Sequence, residues 1–202
     1  MSQEYEIIAV VYHESGHALA ALLNSMQVPT VVVKSTKLVS GSTEYIAANY
    51  NSEDKNLHRE MLLAEIRVFY GGLAAEKIYY KNITGSNKFP QVLKHGSWFD
   101  ISSITKIISS NKLVEPGSER KSFKNNLFKN ISSDLEKYWT DVQLVAHSLY
   151  KLKKLEFKDL RKLLTKKSVN KDFWKEKFKN IDLIFHSKSV LNEKDVKKIL
   201  IK

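Results

Sequence analysis

Two histidines four residues apart, with a glutamate beside the first, stand near the start of the chain: His13-Glu14-Ser15-Gly16-His17. On a helix, residues i and i+4 lie on one face, about 6 Å apart along the axis. Two imidazoles so placed can grip one zinc ion, and the carboxylate of Glu14 can take a proton from water held beside it. The chemistry implied is hydrolysis of an amide bond. The pattern has this meaning only on a helix, and its surroundings predict one. Glu4 to Leu23 contains no proline and carries the apolar residues Ile7, Ile8, Val10, Val11, Ala18, Leu19 and Leu22. Ser2 is a candidate N-cap, Glu4 and Glu6 suit the positive end of the helix dipole, and Asn24 to Pro29 reads as the stop. Gly16 costs such a helix about 1 kcal/mol. Either a close helix crossing or room beside a metal accounts for it.

Two histidines do not close a catalytic zinc site, which ordinarily has three protein ligands and one open position. A third histidine in the run H-E-x-x-H-x-x-G-x-x-H is excluded, because His17 is followed by Ala18-Leu19-Ala20-Ala21-Leu22-Leu23. Glu44, His58, Glu60, Glu65, Glu76, His95 and Asp100 all remain as candidates from the residues alone.

The elements that must position these groups read as mainly α with a small β part. Val28 to Ala48, with Val31-Val32-Val33 and the alternating Ser42-Thr43-Glu44-Tyr45-Ile46-Ala47, predicts two or three short strands. Asn51-Ser52-Glu53-Asp54 signals a helix start, and apolar spacing from Leu57 to Ala75 carries that helix over about 53–80. Within it, Gly71-Gly72 and Ala74-Ala75 form a smooth patch that another backbone can approach. Residues 81–99 read as a loop and 100–112 as helix. After the break at Glu115-Pro116-Gly117-Ser118, a long helix or pair of helices runs to about 154, then a short helix over Lys158 to Lys166. The segment from Asn170 is lysine-rich with interspersed Phe173, Trp174, Phe178 and Ile181, and its role is open; Asn192-Glu193-Lys194-Asp195 suggests one last helix start.

The chain of 202 residues is 43% hydrophobic, enough for a real core, and has no cysteine, which excludes disulfides and thiolate metal sites and fits a reducing cytoplasm. No apolar run is long enough to span a membrane, and the N-terminus lacks a signal-peptide pattern, so a cytoplasmic location is expected. The net charge of +11 is uneven: residues 1–110 balance at ten basic and ten acidic, while 111–202 hold 23 basic and 12 acidic. The basic residues are overwhelmingly lysine, whereas sequence-specific DNA readers lean on arginine, so nucleic acid is not an expected partner.

Several segments, in order, carry a resemblance: Tyr12-His13-Glu14-Ser15-Gly16-His17-Ala18; Val28-Pro29-Thr30-Val31-Val32-Val33 followed by Gly41-Ser42-Thr43; Tyr70-Gly71-Gly72-Leu73-Ala74-Ala75-Glu76; and Phe99-Asp100-Ile101 with Thr105. Together they make residues 5–150 similar to the peptidase domain of the FtsH-type ATP-dependent zinc metallopeptidases. The resemblance implies that Asp100 is the third zinc ligand and that Glu76 supports the site from behind. Placement of Asp100 at a helix start suits a carboxylate, and an acceptor such as Glu76 suits the second nitrogen of a ligating histidine. The chain departs from the pattern at Leu73, where the family has arginine, at Phe99, where it has asparagine, and in a longer loop before Asp100. It holds no G-x-x-x-x-G-K-(S/T).

The expectation is therefore a mainly α zinc-peptidase domain over 1–155, with a small sheet next to the active-site helix, and a basic, mostly helical extension over 156–202. Its activity is expected to be Zn2+-dependent endopeptidase hydrolysis of unfolded or exposed segments. Glu14 would serve as base, His13, His17 and Asp100 as ligands, and a strand edge within 30–47 would pair with the substrate. Alternatives are a regulatory peptidase with one protein target and a zinc-bound interaction module without turnover. An ATPase or unfoldase acting in trans, and a homo-oligomer, are compatible partners.

Overall fold

The first helix, α1 (Gln3–Leu23), is enclosed on nearly every side. A computed structural model describes residues 3–35, 39–47, 54–86 and 97–186 of the chain. Within α1 every residue from 13 to 22 is buried, so the apolar stripe read from sequence is in fact a core helix. Strands β1 (Gln27–Ser35) and β2 (Val39–Ile46) and two further helices pack around it.

Strand β1 sends Val28, Val31 and Val33 into the core. It pairs antiparallel with β2, with Thr30 opposite Glu44 and Val33 opposite Gly41. The third strand lies far along the chain: β3 (Lys154–Glu156) adds antiparallel to the other edge of β1, with Val31 opposite Leu155, giving the order β2-β1-β3. Sequence reasoning sought all the strands before residue 48, because three residues are too few to show alternation. With β1 paired on both sides, the outer edge of β2 is the edge left beside the cleft described below.

Helix α2 (Lys55–Thr84) begins at Asp54, whose carboxylate accepts from the backbone N–H of Asn56 at 2.8 Å and Leu57 at 3.2 Å. It runs four residues past the expected end, to Gly85, whose φ of 67° lets its N–H close onto the Lys81 carbonyl. Helix α3 (Trp98–Ser110) starts two residues earlier than expected. The long segment after the Pro-Gly break is a pair, α4 (Ser118–Lys137) and α5 (Trp139–Leu152). They part at Tyr138 without glycine or proline, and the Tyr138 ring stacks on Phe173 with centroids 4.8 Å apart. Packing, not a helix breaker, sets that joint.

Helices α6 (Phe157–Lys167) and α7 (Lys171–His186) follow. Trp174, Phe178 and Ile181 of α7 and Leu160, Leu163 and Leu164 of α6 belong to the same buried cluster as α1 and the sheet. The Trp174 indole N–H donates to buried Asp141 of α5 at 2.8 Å, and the same oxygen accepts from the Asn170 side-chain amide at 2.9 Å. Lys177 reaches the Leu23 carbonyl at the C-terminal end of α1 at 2.8 Å, a favourable place for a cation. Among the described residues the fold is mainly α with one small sheet against α1, as expected, and no helix is long and apolar enough to cross a membrane. The expected cap at Ser2 and the helix start at 192–195 lie outside the described residues.

Candidate metal centre

Helices α1 and α2 cross more closely than ordinary side chains allow. A methyl group added at Gly16 would collide with the Gly71 carbonyl and the Ala75 side chain, and one added at Gly71 would come within 2.6 Å of the Ala20 side chain. The Gly-Gly and Ala-Ala patch is thus the bed for α1, and Gly16 serves the helix crossing. One turn of that crossing carries the chemistry. A side chain on Gly72 would stand 2.5 Å from His17 Nε2 and 2.7 Å from His13 Nε2, so the bare backbone of α2 forms the floor beneath both imidazoles.

The two rings are turned so that their Nε2 atoms lie 2.8 Å apart. His17 Nδ1 donates to the Val68 carbonyl of α2 at 2.8 Å, which leaves its Nε2 with a lone pair. His13 Nδ1 lies 3.4 Å from Glu76 Oε2, one turn beyond Gly72 on α2. Ser97, just before α3, donates to the same Glu76 oxygen at 3.3 Å. The third donor arrives on the first turn of α3: Asp100 Oδ2 is 3.1 Å from His13 Nε2 and 3.3 Å from His17 Nε2. His13, His17 and Asp100 are all buried, and together they form a group able to hold a metal ion.

The electrostatics fit a cation at this point. Asp100 Oδ2 is buried and makes no aligned hydrogen bond, an expensive condition for a carboxylate oxygen unless a positive centre meets it. Burial opposes charge on His13, yet the carboxylates of Asp100 and Glu76 overcome it and hold the imidazole pKa up at about 10. Burial likewise works against ionised Asp100, and His13 and His17 overcome it, holding the carboxyl down at about 2. Two imidazole nitrogens and a carboxylate oxygen converge on one point, which is the donor set of a metal centre.

Glu14 leaves α1 beside these ligands. Thr43 of β2 donates to Glu14 Oε2 at 2.6 Å and to the Glu14 carbonyl at 3.1 Å. Gly41 gives the carboxylate its space, since a methyl group there would lie 2.6 Å from Glu14 Oε1. A cleft of about 500 Å³ opens over Glu14, the two histidines and Asp100.

The structure therefore brings His13, Glu14, His17, Glu76 and Asp100 together. It leaves Glu44 and His58 exposed elsewhere, and among the described residues Glu60 and Glu65 do not join the ligand group; His95 lies outside the described residues. Sequence reasoning gave no role to Thr43, Ser97 or the Val68 carbonyl. Thr43 sat within a segment already noted, but a carbonyl that orients an imidazole leaves no trace in residue type.

The model of peptidase family M41 matches residues 1–172 of the chain, past the third strand and through α6. The chain belongs to this family, the family of FtsH peptidase domains, and its activity is that of a metallopeptidase. No curated relative matches the chain.

Proposed function

We propose that the protein is a zinc-dependent endopeptidase acting on unfolded or exposed polypeptide segments in the cytoplasm. His13 Nε2, His17 Nε2 and Asp100 Oδ2 would hold the ion. Two imidazoles and a carboxylate suit zinc, and three ligands leave one position open. When bound, zinc supplies Lewis acidity, making water acidic enough to lose a proton near pH 7 and polarising a peptide carbonyl.

The protein's own groups account for the remainder. Glu14 accepts a proton from the attacking water at Oε1 while Thr43 keeps Oε2 in place. The water oxygen bonds to the carbonyl carbon, the C–N bond breaks, and Glu14 returns the proton to the departing amine. Val68 and Glu76 hold the imidazoles in the tautomer that presents Nε2. The outer edge of β2 runs beside the cleft, and an extended substrate would add to it as a further strand. An unfolding partner acting in trans would extend the activity to folded proteins.

The observation that supports this reading best is the placement of Glu14, fixed by Thr43 at 2.6 Å, at the edge of a three-donor pocket. Replacing Glu14→Gln keeps the shape and removes the base. We expect the variant to bind zinc as the parent does and to cleave casein about 10²–10⁴-fold more slowly. Parental cleavage by Glu14→Gln would sink the mechanism.

A further inference from the structure

Helix α3 brings Asp100 to the histidines, yet little of that helix is buried. Asp100, Ile104 and Ile108 form its buried stripe, while Trp98, Phe99 and Ile101 of its first turn are exposed. Its N-cap residue Ser97 makes no side-chain bond to the helix; that hydroxyl goes to Glu76. A ligand on such a helix is only as well placed as the helix is held.

Helix α4 supplies a hold. Arg120, Lys124, Leu127, Ile131 and Leu135 recur every three or four residues and so form one stripe of α4. Leu127, Ile131 and Leu135 are buried. The stripe turns basic where it reaches α3. Lys124 Nζ donates to Thr105 Oγ1 at 2.9 Å, and Thr105 donates its own proton to the Ile101 carbonyl at 2.8 Å. Arg120 donates to Ser109 Oγ at 3.2 Å and to the Val114 carbonyl, beyond the end of α3, at 3.4 Å. Cations at the C-terminal end of α3 suit its dipole.

These bonds meet α3 on the side away from the metal centre. Successive helical residues turn by about 100°, so Thr105 and Ser109 stand about 140° and 180° around the axis from Asp100. Among the described residues neither Arg120 nor Lys124 pairs with a carboxylate. Burial and the Arg120 guanidinium both pull the Lys124 pKa down. Two like charges are thus kept side by side, with hydroxyls and a carbonyl as partners, where they reach across to α3.

We infer that Lys124 and Arg120 are positioning residues: reaching from α4 over the outer face of α3, they keep Asp100 on the two histidines. The inference rests on the metal-centre reading and adds what sets the residence of the ion, because release requires α3 to lift.

The test is the rate at which the zinc-loaded full chain gives up its ion to excess chelator. Lys124→Met and Arg120→Met should each release zinc about two- to tenfold faster, the worth of one hydrogen bond, and the double variant by about the product. Lys124→Arg should restore the slow rate, and Thr105→Val combined with Lys124→Met should be no faster than either alone. Ile181→Val in α7, a core change of similar cost, should release zinc as the parent does. Parental release by the double variant overturns the inference, and so does Ile181→Val matching Lys124→Met. Amide hydrogen exchange of α3 in the metal-free chain separates this inference from the metal-centre reading. If the parent takes up no zinc, that reading falls; faster α3 exchange in the double variant then still supports the hold, and unchanged exchange overturns it.

Discussion

Each member of the pocket does one job that its neighbours make necessary. His17 is oriented by a backbone carbonyl, so its tautomer does not depend on another titrating group. Glu76, whose carboxylate accepts from Ser97, lies 3.4 Å from His13 Nδ1, and we propose that it orients that ring. Glu76→Gln keeps the shape but removes the carboxylate charge beside His13 Nδ1. Groups in this position typically contribute 10–100-fold to metal affinity. We expect zinc to bind Glu76→Gln weaker by that factor in a competition titration with a chelator, while Glu14→Gln binds as the parent. Equal affinity in both variants would reduce Glu76 to a packing residue. At this scale much was legible: spacing singled out His13, Glu14 and His17 as candidates, and the structure brings them together. Asp100 was one of seven candidates until its segment was matched to a family pattern, because a ligand 83 residues beyond His17 has no local signature. Thr43 and Val68 were not legible, since their roles come from where strand and helix cross.

The elements hold the pocket through the α1–α2 crossing. Gly16→Ala would gain about 1 kcal/mol of helix propensity. It would also place a methyl group against the Gly71 carbonyl and the Ala75 side chain. Backbone cannot rotate away, and such overpacking costs about 1–3 kcal/mol. The clash wins, so Gly16→Ala should lower the melting temperature. Gly72→Ala should act differently, because its methyl group meets His17 Nε2 and His13 Nε2 rather than backbone. We expect Gly72→Ala to keep its far-UV circular dichroism and lose stoichiometric zinc by metal analysis. A Gly72→Ala protein that binds a full zinc would show that the helices part more readily than the crossing implies. The Gly-Gly and Ala-Ala patch was legible as a place for close approach, but which helix lies there was not. The third strand was missed for a related reason: Lys154-Leu155-Glu156 becomes a strand only because β1 offers it an edge.

Over the whole molecule, the question is whether residues beyond 155 are an attachment or part of the body. Composition separates them, since the excess positive charge lies in the C-terminal half. Burial joins them: Trp174 is fully buried, donates to Asp141, and stands among Tyr138, Phe173 and Phe178. Lysine-rich composition hid this, because the surface of α7 dominates its average while a few apolar positions do the packing. Removing a buried tryptophan costs about 3–5 kcal/mol, a large share of an ordinary domain's 5–15 kcal/mol. Trp174→Ala should therefore lower the unfolding free energy read from a urea titration by that amount, in a single transition. A loss under about 1 kcal/mol would mark α7 as an appendage on a domain ending near 155. The whole fold finally serves one point, where two elements, α1 and α3, deliver His13, His17 and Asp100. A crystal structure of the zinc-loaded protein, with anomalous diffraction at the zinc edge, tests that point most directly. The account predicts one peak, about 2 Å from His13 Nε2, His17 Nε2 and the Asp100 carboxylate, with Glu14 alongside and not ligating. A peak elsewhere, or one that Asp100 does not touch, would contradict it.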